Sequence, residues 1–220
     1  MAAQRCVVIF DLDGTLTRRD SYLAYLAGFL IRQPWRLPRL LILPWVLFKF
    51  ALGRLDNTEL KRQFLHTVLS GASKRDVTMW TRTFVDRLVA RGLRRDALDM
   101  VERYRQRGDL LVLLTASFDL YVHEVARRLG FDEVICTQAE WVDGRLSGRL
   151  AGPNHRGEEK VRCLLRLRHD HKGAPVIAYA DHHSDLAFLG LADCGILVNG
   201  TSKTRQLAMQ KGIACAIWKR

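Results

Sequence analysis

Six short apolar runs, mostly of β-favouring residues, constrain this chain more than anything else in it. They are Cys6–Phe10, Leu110–Leu114, Val134–Cys136, Val176–Ala180, Ile196–Val198 and Ala214–Trp218. Unbroken apolar runs of this length suit strands buried on both faces, as in a parallel sheet. Helical patterns at Leu120–Leu129, Glu158–Leu167 and Lys203–Lys211 separate most of them. The alternation predicts an α/β fold with a doubly wound, mainly parallel, Rossmann-like sheet. In such sheets the ligand site lies outside the carboxyl ends of the strands.

One interval breaks the alternation. Residues 21–107 contain no convincing strand. Asp56-x-x-Glu59 reads as a capping box opening a helix towards Leu69. Ser73 precedes a second long helical stretch, and Arg94 to Gln106 forms a third. The expected organisation is therefore a core of residues 1–20 and 108–220. A helical cap, 21–107, is inserted after the first strand and lies over the strand tips. Asp143-Gly144 carries a hairpin signal and predicts a small β-flap. There is no internal repeat and no low-complexity tract.

Composition narrows the field. At 48% hydrophobic residues the chain can bury a core, which excludes a disordered protein. The five cysteines form no CxxC pair, which excludes a disulfide scaffold and a cysteine zinc knuckle. Free thiols point to a reducing compartment. Met1 to Arg5 runs straight into the first apolar run, without the long apolar stretch of a signal peptide, and reads as a cytosolic start.

Chemistry gathers at the strand ends. Asp11 and Asp13 follow the first run, and Asp181 and Asp185 follow Val176–Ala180. Four carboxylates in one cleft would repel and raise one another's pKa. A Mg²⁺ ion with a nearby lysine would relieve this, and Mg²⁺ prefers carboxylate, carbonyl and water oxygens beside a phosphate. Lys160 opens a helical stretch after Gly157-Glu-Glu. Thr115 follows the apolar strand Leu110–Leu114, and its hydroxyl together with the backbone N–H groups of Ala116 and Ser117 would suit phosphate oxygens.

These residues carry a resemblance. Asp11-Leu-Asp-Gly-Thr-Leu-Thr17, Leu113-Leu-Thr115-Ala-Ser117, Gly157-Glu-Glu-Lys160 and Tyr179-Ala-Asp181-His-His-Ser-Asp185 resemble, in order, the four motifs of the haloacid dehalogenase superfamily. The likeness covers nearly the whole chain. A helical insertion after the first motif is similar to subfamily IB, the phosphoserine-phosphatase-like group. Arg32-Gln33-Pro34 and Lys160-Val161 look most like phosphatidylglycerophosphatases C and unassigned hydrolases near them. The resemblance implies a Mg²⁺-dependent phosphomonoesterase working through an aspartyl-phosphate. Asp11 would be the nucleophile and Asp13 the general acid and base. Asp11, the Asp13 carbonyl and Asp181 would bind the metal, with Asp185 supporting from behind. Thr115 and Lys160 would hold the phosphoryl group. An Asp two residues after the nucleophile implies phosphate esters rather than dehalogenation.

Other residues read less sharply. Asp20 is either the N-cap of the first insertion helix or a substrate ligand. No arginine matches the one that grips the substrate carboxylate in phosphoserine phosphatases, and Arg62 is out of register. His182 and His183 read as cleft-lining loop residues, and His155, His169 and His171 as surface. The Ser117 hydroxyl has no base nearby in sequence, so a serine nucleophile has little support.

The net charge of +12 concentrates one question in residues 21–55. Their charged side chains are Arg32, Arg36, Arg39, Lys49 and Arg54, with no acid among them, set in long apolar pieces. Neither Tyr22–Ile31 nor Leu40–Leu52 reaches the ~20 residues of a membrane-spanning helix. One reading is a cap core. The other is a peripheral contact on the cytoplasmic face of an anionic inner membrane, with Trp35, Trp45, Phe48 and Phe50 in the interface. The second suits a lipid phosphate such as phosphatidylglycerophosphate. The rivals are a soluble phosphatase for phosphoserine or another small metabolite, and a non-catalytic membrane or nucleic-acid binding module. No recognised nucleic-acid module is present, and no specific nucleic-acid partner is expected.

Overall fold

The computed structural model describes residues 5–219, so the reading of residues 1–4 as part of a leaderless start lies outside it. β1 (Val7–Phe10) is buried along its whole length at the centre of a six-stranded sheet. The chain then makes an irregular turn over Leu12–Leu16. Helices follow: α1 (Ser21–Arg32), a 3-10 stretch (Pro34–Ile42), α2 (Leu43–Ala51), α3 (Asn57–Leu69), α4 (Lys74–Arg91) and α5 (Arg95–Gln106). β2 (Leu110–Phe118), α6 (Asp119–Leu129) and β3 (Glu133–Thr137) resume the alternation. A two-stranded flap, β4 (Ala139–Val142) and β5 (Arg145–Leu150), comes next. Then follow α7 (Glu158–Asp170), β6 (Val176–Ala180), α8 (Leu186–Leu191), β7 (Cys194–Val198), α9 (Ser202–Gln210) and β8 (Ala214–Ala216).

The strand order is β3-β2-β1-β6-β7-β8, with every pairing parallel. The chain winds outward from β1 to β3, then returns to β6 on the other side of β1. That reversal leaves a crevice at the tips of β1, β2 and β6, where a doubly wound sheet binds its ligand. Side chains alternate across the sheet. Val8 and Phe10 join α5, α6 and the helical block in one core. Val7 and Ile9 pack with α7, α8 and α9 in a second core on the opposite face.

The helix signals have the expected physical basis. The Asp56 carboxylate accepts from the Glu59 amide at 2.7 Å, and Ser73 accepts from Asp76 at 3.2 Å. At the flap turn Asp143 and Gly144 both take positive φ, as a tight primed hairpin turn requires.

The helical block hangs from a paired neck. The Arg18 amide donates to Gly92 O at 2.9 Å, and the Arg94 amide donates to Leu16 O at 2.9 Å. The expected cap limits of 21 and 107 differ from this geometry, because α5 lies beyond the neck and against the sheet. Ala97, Val101 and Tyr104 are buried there, and the Tyr104 and Tyr179 hydroxyls meet at 2.8 Å. A helix packed on a sheet and one packed on other helices show the same periodicity, so the pattern alone did not assign α5.

Within the block, α1 and α4 meet at Trp80. Its indole N–H donates to Tyr25 O at 3.0 Å. Its ring occupies the space where a side chain on Gly28 would stand. Trp80→Ala should lower the unfolding free energy by about 3–5 kcal/mol. The check is the denaturant midpoint at unchanged slope. A loss below about 1 kcal/mol would mean that this contact does not hold the block together.

Candidate active site

Asp11 stands at the tip of β1, its amide tied to Tyr179 O on β6 at 3.0 Å. Asp13 lies in the turn that follows. Gly14 has φ +76°, and a Cβ there would fall 2.0 Å from Asp181 Oδ2. Only glycine lets this turn pass so close to the carboxylate at the tip of β6. Asp185, behind Asp181, is buried.

Lys160, on the first turn of α7, reaches the same point. It is 2% exposed, with its ammonium 3.0 Å from Asp11 and 2.7 Å from Asp185. The two carboxylates raise the Lys160 pKa against the opposing effect of its burial. The carboxylates remain under-compensated. Burial, with Asp185 and Asp13 nearby, raises the Asp11 carboxyl to about 6 in spite of Lys160. Burial, then Asp11 and Asp185, raises Asp181 to about 7. Buried oxygen donors with more negative charge than one lysine meets fit Mg²⁺.

Asp13 is held differently. One carboxylate oxygen accepts from the Ser21 amide at 2.7 Å, and the other from the Ser117 hydroxyl. Tyr121 continues this chain, donating to Ser117 Oγ at 2.9 Å. Burial and the charge of Asp20 raise the Asp13 pKa, while the Ser117 and Ser21 hydrogen bonds oppose them. A carboxyl with a raised pKa is suited to carrying a proton.

Thr115 is buried within β2 rather than after it. The β2–β3 register shifts between Thr115 and Phe118, and such a bulge re-aims the backbone. The Ser117 amide donates to Thr115 Oγ1 at 3.0 Å, so in this arrangement it does not point freely into the cleft as expected. Asp20 takes its N-cap role, accepting from the Leu23 amide at 2.9 Å, and also lines the cavity.

That cavity, of about 650 Å³, has a polar floor and an apolar side. Asp11, Asp13, Thr115, Lys160, Asp181 and Asp185 line the floor. Leu23, Leu47, Leu60 and Phe64 form the apolar wall, all from the helical block. Five cations lining the cavity were missed in the sequence: Arg18, Arg19, Lys61, Arg94 and Arg156. Lys61 on α3 donates to Ala116 O, and burial pulls its pKa down to about 8 against the pull of Asp13 and Asp20. Arg156 lies beside His182 at 3.4 Å. Arg62 instead turns to Glu59 on its own helix, so α3 presents a lysine to the site. The apolar partners of α3, with Leu65 and Leu69 buried, were the signal for that phase.

The histidines divide. His182 lines the cavity and caps the turn after β6, accepting from the Ser184 amide at 3.2 Å. His169 is exposed. His155, expected at the surface, is buried at 9% exposure, because the loop before α7 tucks under β3 with the His155 amide donating to Thr137 Oγ1.

Residues 21–55 also divide. Tyr22, Tyr25, Leu26 and Phe29 of α1 are core. Arg36 is buried and donates to Val68 O and Ser70 O at the end of α3, a structural cap rather than a headgroup contact. Beyond it the surface is apolar. Trp35, Leu41, Trp45 and Phe48 are exposed, Leu41 at 83% and Trp45 at 54%. Among the described residues, no helix is long and apolar enough to cross a membrane.

Residues 8–190 match the family model of haloacid dehalogenase-like hydrolases. Protein CicA of Caulobacter vibrioides is 35% identical over 200 residues, covering 88% of this chain and 86% of that one. Phosphoserine phosphatase SerB1 of Mycobacterium tuberculosis is 25% identical, over 92% of this chain and 68% of its own. A crystal structure of a protein of unknown function from Bordetella pertussis superposes with a TM-score of 0.81 at 25% identity, covering 97% of this chain and 98% of that one. A phosphoserine phosphatase with a phospho-aspartyl intermediate analogue has the same fold, with a TM-score of 0.68 at 17% identity over 99% and 95% of the two chains.

The raised carboxyls give a pH prediction with a definite sign. A carboxyl whose pKa is raised in the fold costs stability once it ionises, so the cost appears as pH rises through about 4 to 7 and is full above that. A cation that binds the ionised pair removes this cost. The rise in melting temperature on adding Mg²⁺ to metal-free protein should therefore be larger at pH 8 than at pH 5. Metal-free Asp181→Asn should melt higher than the metal-free parent at pH 8. A Mg²⁺ increment independent of pH would refute the coupling.

Proposed function

Because the chain belongs to the haloacid dehalogenase-like hydrolases and is similar to the phosphoserine phosphatase SerB1, we propose that it is a phosphatase that hydrolyses a lipid phosphomonoester at an anionic membrane surface. The observation that carries this reading is the cavity itself. Its carboxylate floor is bordered by Leu23, Leu47, Leu60 and Phe64, and Leu47 lies on α2, the helix that exposes Trp45 and Phe48. A phosphate head on an apolar tail matches that gradient. Residues 21–55 hold exposed Arg32, Arg39 and Arg54 and no acidic residue, which complements anionic headgroups.

The contacts of the floor support the following chemistry. The Asp11 carboxylate, beside the Lys160 ammonium, attacks phosphorus while the bond to the substrate alcohol breaks. Asp13, held by Ser21 and Ser117, gives its proton to the leaving alkoxide. The Asp13 carboxylate then takes a proton from water, whose oxygen attacks the aspartyl-phosphate, freeing phosphate and restoring Asp11. Lys160 and the Thr115 hydroxyl hold the phosphoryl oxygens, and Asp185 orients Lys160. Asp11, Asp181 and the Asp13 carbonyl are the residues that would hold Mg²⁺. When bound, Mg²⁺ would offset negative charge on the phosphoryl oxygens and the carboxylates.

A second reading has its own observation. Asp20 and Lys61 both line the cavity, one anion and one cation, which would suit the amino and carboxylate groups of phosphoserine. Phosphate release with Mg²⁺ decides between the two. Phosphatidylglycerophosphate in mixed micelles should be preferred over phosphoserine, and a strong preference for phosphoserine would favour the second reading. Asp11→Asn should lower kcat for every substrate by a factor on the order of 10³ or more, with the fold intact. Retained turnover would remove Asp11 as nucleophile.

The membrane part is tested separately. Trp45→Glu with Phe48→Glu changes only exposed side chains of α2. The double variant should lose sedimentation with anionic vesicles and raise KM for the lipid, while hydrolysis of a soluble aryl phosphate is unchanged. Vesicle binding equal to that of the parent would overturn the docking surface.

A further inference from the structure

Away from the carboxylate floor, the described residues hold one group of three metal-ligating side chains whose donor atoms all lie within 4.8 Å of one another. They are His155, Glu159 and Cys163. Glu159 and Cys163 are four residues apart on α7 and share a face. His155 joins them from the preceding loop. Cys163 is 1% exposed, and Glu159 is half-buried.

A second observation points to a ligand. His155 Nδ1 is buried and has no hydrogen-bond partner. A buried polar atom left unpaired costs roughly 1–3 kcal/mol. Burial also pushes the imidazole pKa down, which leaves the ring neutral with a lone pair to donate. Nothing in the hydrolytic site uses this nitrogen.

We propose that His155, Glu159 and Cys163 form a second cation site, for a borderline-soft divalent ion such as Zn²⁺ rather than Mg²⁺. One imidazole, one carboxylate and one thiolate are zinc donors, and a thiolate is a poor ligand for Mg²⁺. The charges also balance, because a carboxylate and a thiolate together neutralise a dication. On binding, the Cys163 thiol gives its proton to solvent and its sulfur pair to the ion, with no change of oxidation state. Tetrahedral zinc bonds imply donor separations of about 3.3–3.7 Å, so the donors draw together slightly. Arg162 donates to Glu159 Oε2 at 2.9 Å and Arg166 to Cys163 Sγ at 3.8 Å; both arginines are exposed, so solvent can take over these hydrogen bonds when the ion takes the ligand atoms.

The ion would bind the loop to α7. That loop carries Asn154, whose amide donates to Thr58 Oγ1 on α3, and α7 carries Lys160. The site therefore sits where the helical block, the loop and the hydrolytic lysine meet. It does not depend on which phosphate ester the enzyme takes.

The test is a Co²⁺ titration of the metal-free, reduced full-length protein in excess Mg²⁺, which keeps the carboxylate site occupied. One equivalent of Co²⁺ should give a thiolate-to-cobalt charge-transfer band with tetrahedral visible absorption. Zn²⁺ should bleach both, with proton release in weak buffer. Cys163→Ser should remove the band. Glu159→Gln, at a half-exposed position that tolerates the change, should weaken Zn²⁺ binding at least tenfold and shrink the zinc-induced rise in melting temperature. No band at millimolar Co²⁺, a band that survives in Cys163→Ser, or unchanged zinc affinity in Glu159→Gln would each overturn the site.

Discussion

One buried ammonium organises the centre of this protein. Lys160 bonds to Asp11 from the tip of β1 and to Asp185 from the segment after β6. Without it, two buried carboxylates would face a third, Asp181, across a low-dielectric crevice. The parallel sheet supplies the convergence, since adjacent parallel strands end on the same side. The lysine supplies the charge that lets those ends be acidic. Even so, Asp11 and Asp181 remain raised, and this uncompensated charge is what suits the floor to the cation proposed for it.

The helical block sets what can reach that floor. α1 turns Tyr22, Tyr25 and Phe29 inward, so the first apolar piece of residues 21–55 is core. The second piece has no such partner. Pro34, Pro38 and Pro44 break the chain into short helical turns too brief to bury two faces. Trp35, Leu41, Trp45 and Phe48 are left facing outward, where their positive neighbours also lie. The segment divides: α1 is packed core, as the first reading expected, and the piece after it leaves an exposed apolar surface, on which the proposed membrane contact rests.

The parts legible in the sequence were those whose cause is local. The six strands, the capped starts of α3 and α4, and the Asp143-Gly144 hairpin follow from residue patterns a few positions long. Asp11, Asp13, Asp181 and Asp185 could be brought together in advance because strand tips converge once the sheet is parallel, and Lys160 from its place at the start of a helical stretch. The rest depended on packing between distant segments. Whether Lys61 or Arg62 faces the cleft is set by the phase of α3 against the flap and α1. The burial of His155 depends on a loop docking at Thr137 on β3, which no run of residues near position 155 encodes. The Ser117 amide seemed free because its engagement by Thr115 arises from a bulge, and a bulge leaves no periodic trace.

The neck at Leu16–Arg18 and Gly92–Arg94 has an architectural consequence. The chain leaves the sheet and re-enters it through two backbone segments hydrogen-bonded side by side. The inserted helices therefore begin and end at one point of the core, and reach back to it through Ser21 at Asp13 and Lys61 at Ala116 O. The register of β1, which carries Asp11 at its tip, is set by β2 and β6, so the exposed faces of the inserted helices can change without disturbing it. Such a socket lets a lineage exchange one substrate for another by rewriting a plug-in segment, with the hydrolytic chemistry inherited intact.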